Sequence, residues 1–135
     1  RFEPDAGVIP KDASELAAVL NVLKERDVPV VLRGAGTSLS GGPVAAQGGV
    51  IVHTSRLRSI CHIDVPGLWC EVEAGVPLSL LEEALLPAGL FYPPDPSSGL
   101  VATIGGNVAA NAGGAHCFRY GVTGNYVLGV EAVLP

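Results

Sequence analysis

The spacing of apolar residues changes several times along the chain, and each change marks an element. Leu16, Val19, Leu20 and Leu23 recur at helical spacing behind an Asp12–Glu15 pair with capping-box separation, which predicts an amphipathic helix over about 13–26. Asp27-Val28-Pro29 stops it, and residues 1–11 before it read as an irregular lead-in. Val30-Val31-Leu32 and Val50-Ile51-Val52 fit short buried strands. Residues 59–64 and 68–74 fit two strands joined by a turn at Pro66-Gly67. Pro77 suits the first position of a second helix, which carries Leu78, Leu81, Leu85 and Leu86 and closes at Ala88-Gly89-Leu90. Pro93, Pro94 and Pro96 keep 91–99 extended and outside any central strand, and 127–134 reads as a final strand. This order predicts an α+β fold without regular βαβ alternation.

Composition narrows the class. The chain has 135 residues, 48% of them hydrophobic and 16% charged, which suits one domain with a packed core. A net charge of -5 with scattered basic residues argues against a nucleic-acid partner. No apolar stretch approaches the roughly 18 residues of a membrane span, and no signal-peptide pattern stands at the start. The chain begins at Arg1 and lacks methionine, so it is expected to be an excerpt or a processed product. Cys61, Cys70 and Cys117 are odd in number and lack CxxC spacing, which suits buried or half-buried free thiols in a reducing compartment. His53, His62 and His116 show no metal-ligand spacing, so no metal site is expected; Trp69 is expected in the core.

Two glycine-rich segments hold the candidate chemistry. Arg33-Gly34-Ala35-Gly36-Thr37-Ser38-Leu39-Ser40-Gly41-Gly42 follows a predicted strand. Such a loop exposes consecutive backbone amides, which can converge on an anion. It lacks the third glycine of a Rossmann fingerprint, where Leu39 stands, and the lysine of a P-loop. The reading stays open between a phosphate cradle of another kind and a structural turn. Residues 102–114 are almost all small, with Thr103, Asn107 and Asn111 as the polar exceptions. They suit backbone laid against a large flat object, with Asn107 and Asn111 on one helical face, or else tight packing with two capping asparagines.

RGAGTSLSGG, PPDPSS, ATIGGNVAANAGG and RYGVTGNYVLGVEAVLP occur in this order. Together they resemble the FAD-binding domain of the vanillyl-alcohol-oxidase and p-cresol-methylhydroxylase superfamily. The wording NAGGAHCFRYGVT is most similar to its bacterial glycolate oxidase and D-lactate dehydrogenase group. The resemblance spans about 8–134.

It implies a type-2 (PCMH-like) FAD-binding domain of two small α/β subdomains, about 1–75 and the start of a second at about 76–135, incomplete at its C-terminal end. It implies that Gly34, Ala35, Gly36, Thr37, Ser38 and Gly41 hold the pyrophosphate of a non-covalently bound FAD, with Arg33 at the loop entrance assisting the charge or pairing with a carboxylate. Pro94 and Asp95 would lie beside the flavin. Thr103, Gly105, Gly106, Asn107, Asn111, Gly113 and Gly114 would wrap it, with Gly121 and Val130 nearer the adenine. His116 is expected to pack or hydrogen-bond and not to attach the flavin. The implied activity is oxidation of a small 2-hydroxy acid, glycolate or D-lactate, to the 2-oxo acid. Substrate-binding and catalytic residues would lie in a cap domain, so no residue of this chain is assigned a catalytic role. Partner subunits of a glycolate oxidase complex are implied, with a cytoplasmic location or one at the inner face of the membrane. The alternative is a non-catalytic FAD-domain subunit.

Overall fold

The computed structural model describes residues 2–134. Three parallel strands form the first sheet: β1 (Ala6–Val8), β2 (Val30–Arg33) and β3 (Val50–His53), in the order β1-β3-β2. The sheet is more βαβ-like than the sequence predicts, because β1 lies in the stretch read as irregular. Ala6-Gly7-Val8 has no apolar run of its own. It becomes a strand by pairing with β3, and Asp5 fixes its register: the Gly49 amide donates to the Asp5 carboxylate at 2.6 Å and the Asp5 amide to the Gly49 carbonyl at 2.8 Å.

The helix between β1 and β2, α1 (Ala13–Glu25), is capped as its sequence predicts. The Glu15 amide donates to Asp12 Oδ1 at 2.7 Å, and the reciprocal bond reaches one residue further back, from the Lys11 amide to Glu15 Oε2 at 2.6 Å. Leu16, Val19, Leu20 and Leu23 are its half-buried face.

An antiparallel hairpin follows, β4 (Ile60–Asp64) and β5 (Trp69–Val72). Its turn falls at Pro66-Gly67 as predicted, with the Gly67 amide donating to Asp64 Oδ1 at 3.1 Å. Trp69 is 40% exposed and stacks beside His62 at 5.0 Å, so it caps the hairpin end instead of filling the core. Cys61 is exposed, and Cys70 and Cys117 are half-buried. Burial raises the Cys70 thiol above its ordinary range.

Pro77 is the N-cap of α2 (Leu78–Leu85), one position earlier than predicted. Val76, Leu81 and Leu85 form the buried core, and Ile60, Ile63, Cys70, Val72, Leu80, Leu90 and Ile104 pack around it. Leu86, read as part of the apolar face, falls in a terminal 3-10 turn and is 73% exposed. Leu81 is 2% exposed, so Leu81→Ala is expected to cost about 2–4 kcal/mol in urea unfolding, while Leu86→Ala stays within about 0.5 kcal/mol. Equal losses at the two positions would show that the core lies elsewhere.

The second small-residue segment contains α3 (Ile104–Ala109), and α4 (Cys117–Tyr120) and a 3-10 turn (Thr123–Tyr126) follow. Residues 127–134, read as a final strand, carry no regular secondary structure and pair with no strand among the described residues. Mixed helices with two small sheets make the fold α+β.

Candidate cofactor site: a loop of free amides against a small-residue helix

The loop after β2 leaves the sheet with its main-chain donors unengaged. Among the described residues, no amide from Gly34 to Gly42 donates to any protein acceptor. Gly34, Gly36 and Ser38 are half-buried and the rest of the run is exposed, so its amides are open to water or to a ligand. Gly36, at φ 74°, turns the chain through the left-handed region. The Arg33 guanidinium lies over it, with Nε and Nη2 each 3.0 Å from where a Cβ would stand. Arg33 has no carboxylate within 4.0 Å among the described residues, so the salt bridge weighed for it is not formed. Ser38 is half-buried, its hydroxyl 3.0 Å from that of Ser40; Ala35 and Thr37 are exposed. Gly41, at φ 78°, stands in open space.

The second segment is fixed by main-chain bonds to the start of α2 and the residues just before it. The Leu78 amide donates to the Ala102 carbonyl at 2.8 Å, Ile104 to Val76 at 2.9 Å and Gly105 to Ala74 at 2.8 Å. Thr103 caps α3, its Oγ1 accepting from the Gly106 amide at 3.3 Å. That same hydroxyl touches Gly34, so the two glycine-rich segments meet at Gly34 and Thr103. One turn on, Asn107 is 3% exposed and its Nδ2 has no hydrogen-bond partner. An unpaired buried amide donor costs about 1–3 kcal/mol, so an acceptor from water or from a ligand would be stabilised beside it. Asn107 and Asn111 do not share a helical face. The helix ends at Ala109, and Asn111 sits beyond it at φ 47°, its Oδ1 accepting from the Gly124 amide at 2.9 Å.

Several predicted glycines face protein. Gly105 lies against Ala74, Gly113 against Cys117 and Val122, and Gly121 beside Asn125. Gly106 is exposed at the helix surface. Gly114 presses on the Asp95 carbonyl, which ties the segment to the proline-rich strap where Pro94 is fully buried. His116 Nδ1 is 3.3 Å from Asp95 Oδ2 across the same junction. Val130 is exposed, in the segment after the 3-10 turn.

The sequence reading missed Tyr92 and Thr123. Tyr92 OH lies 2.8 Å from Thr123 Oγ1, and Thr123 bonds back to the small-residue segment. No local signal marks them, since their partners are 31 and 11 residues distant.

Among the described residues no helix is long and apolar enough to cross a membrane. Residues 4–135 match the model of a family described as FAD binding domain. Over 131 residues the chain is 42% identical to the glycolate oxidase subunit GlcD of Bacillus subtilis, covering 97% of this chain and 28% of that protein. Over 127 residues it is 39% identical to a D-lactate dehydrogenase of Archaeoglobus fulgidus, covering 94% and 28%. A solved alkyldihydroxyacetonephosphate synthase superposes with a TM-score of 0.83 at 20% identity, over 95% of this chain and 24% of its own, which shows the fold. The chain thus spans about a quarter of the length of these relatives. With the match running almost from end to end, the chain belongs to the FAD binding domain family.

Proposed function

We propose that this chain supplies the cofactor grip of an FAD-dependent oxidoreductase acting on a small 2-hydroxy acid, glycolate or D-lactate. The observation that carries the reading is the run of unengaged amides from Gly34 to Gly42, brought against Thr103 beside the unpartnered Asn107. The donor set fits FAD. Neutral main-chain N–H groups suit a diphosphate on a chain whose net charge is -5, and each bond to a charged oxygen is worth about 1.5–3 kcal/mol. In this reading Gly34, Ala35, Gly36, Thr37, Ser38 and Gly41 receive the diphosphate and Arg33 adds a positive charge at its edge. Asn107 gives its free Nδ2 to an acceptor of the cofactor. Gly105, Gly113, Gly114 and Gly121 act indirectly, by letting the segment pack closely on its neighbours.

FAD bound here supplies the two-electron acceptor chemistry, and the chain's own residues bind and orient. Attachment is non-covalent in this reading, as the resemblance to the glycolate oxidase group implies. Substrate-binding residues belong to other parts of the protein. The relatives named glycolate oxidase subunit and D-lactate dehydrogenase support the substrate class, and the word subunit supports assembly with partner chains.

Purified protein is expected to show visible flavin absorbance that denaturation releases into solution. With an artificial electron acceptor the full-length protein is expected to oxidise glycolate or D-lactate among a panel of 2-hydroxy acids. Colourless protein that takes up no added FAD would leave the scaffold reading in its place. Flavin-loaded full-length protein inert toward the whole panel would sink the substrate class alone.

A further inference from the structure

Thr123 is 2% exposed, and its hydroxyl joins two segments. Its Oγ1 donates to the Ala112 carbonyl at 2.8 Å, and its amide donates to the same carbonyl at 2.9 Å. A hydroxyl has one proton, and a carbonyl has none to give. The Thr123 proton is therefore committed to Ala112, and the 2.8 Å contact with Tyr92 has one polarity: the phenol donates and Thr123 Oγ1 accepts. Burial raises the Tyr92 phenol above its usual range, which keeps that proton in place.

The relay runs from the strap, through Thr123, to Ala112. Ala112 in turn donates its amide to the Asn107 carbonyl at 2.8 Å, and Gly124, next to Thr123, donates to Asn111 Oδ1 at 2.9 Å. The turn that leaves α3 is thus held from both sides, and the residue with the unpartnered Nδ2 is part of what is held. We infer that Thr123 is a positioning residue for the cofactor: with Tyr92 it fixes the Asn107–Ala112 turn so that the Asn107 carboxamide is preset for an FAD acceptor. This rests on the FAD-binding reading above and adds a determinant of affinity that touches no cofactor itself.

The test compares FAD dissociation constants, flavin absorbance bandshape and unfolding of FAD-stripped protein for Thr123→Val, Thr123→Ser and Tyr92→Phe. Thr123→Val keeps the shape but loses the relay, and is expected to bind FAD about tenfold more weakly with an altered bandshape. Thr123→Ser retains the hydroxyl and is expected to restore affinity to within about threefold of wild type. Tyr92→Phe is expected to weaken FAD by about three- to tenfold while the stripped protein still folds with an unfolding temperature only a few degrees lower, and it decides the matter if Thr123→Val does not fold. FAD affinity indifferent to Thr123→Val and Tyr92→Phe, or equal loss in the serine variant, overturns the role. Wild-type protein that takes up no FAD overturns the FAD reading and this inference with it, whereas tight wild-type binding untouched by the variants overturns this inference alone.

Discussion

Gly36→Val is expected to weaken FAD binding by about 100-fold or more while the protein remains folded. Gly36 sits at φ 74°, where an L residue costs about 1–2 kcal/mol and a β-branched one more. Its new Cβ would also stand 3.0 Å from the Arg33 guanidinium, which would have to shift by a few tenths of an ångström. The chain relieves both by opening the turn, and the amides on either side then no longer converge. Losing two charge-assisted bonds, about 3 kcal/mol together, corresponds to about 100-fold in affinity. Gly42→Ala is the control, because nothing stands within 4 Å of its Cβ position; it should bind within about threefold of wild type. Equilibrium titration followed by flavin fluorescence checks both. Equal affinity of Gly36→Val and wild type would remove the loop from the cofactor site.

Gly114→Ala is expected to act on stability, by about 3 kcal/mol. A methyl group there would overlap the Asp95 carbonyl and come within 2.8 Å of the Pro96 nitrogen. The obstacle is main chain, and it belongs to a strap in which Pro94 and Pro96 are buried and the ring torsions are fixed. Little can yield, so the overpacking cost falls at the top of its usual range. Thermal unfolding of the FAD-stripped protein should drop by about 10 °C or more. Gly129→Ala, with nothing within 4 Å, should leave it unchanged. An unshifted midpoint for Gly114→Ala would mean that strap and segment are not in contact.

The elements legible in the sequence are those whose signal is local. The Asp12 cap, the 66–67 turn and the leucines of α2 each follow from neighbours a few residues away, and each formed. β1 did not announce itself, because Ala6-Gly7-Val8 is a strand only through its partner Val50-Ile51-Val52. Residues 127–134 err in the opposite direction: they have strand composition, but a strand is a paired object and no partner faces them among the described residues. The glycine segments show the same divide. Their small size was readable, but which glycines border free amides and which, like Gly105, merely admit a neighbour depends on contacts distant in sequence. The pairing of Gly34 with Thr103 and the Tyr92–Thr123 relay are of that tertiary kind.

The unengaged amides of 34–42 belong to the peptide backbone, not to side chains. Only substitution by proline deletes such a donor, and near neutrality the amides neither gain nor lose protons. Exposed positions such as Ala35, Thr37 and Leu39 are therefore free to drift in identity, so long as the curvature that aims the backbone survives. Selection on such a loop acts on its shape more than on its alphabet, and under the proposed function a change of compartment pH near neutrality would leave its grip on the diphosphate untouched.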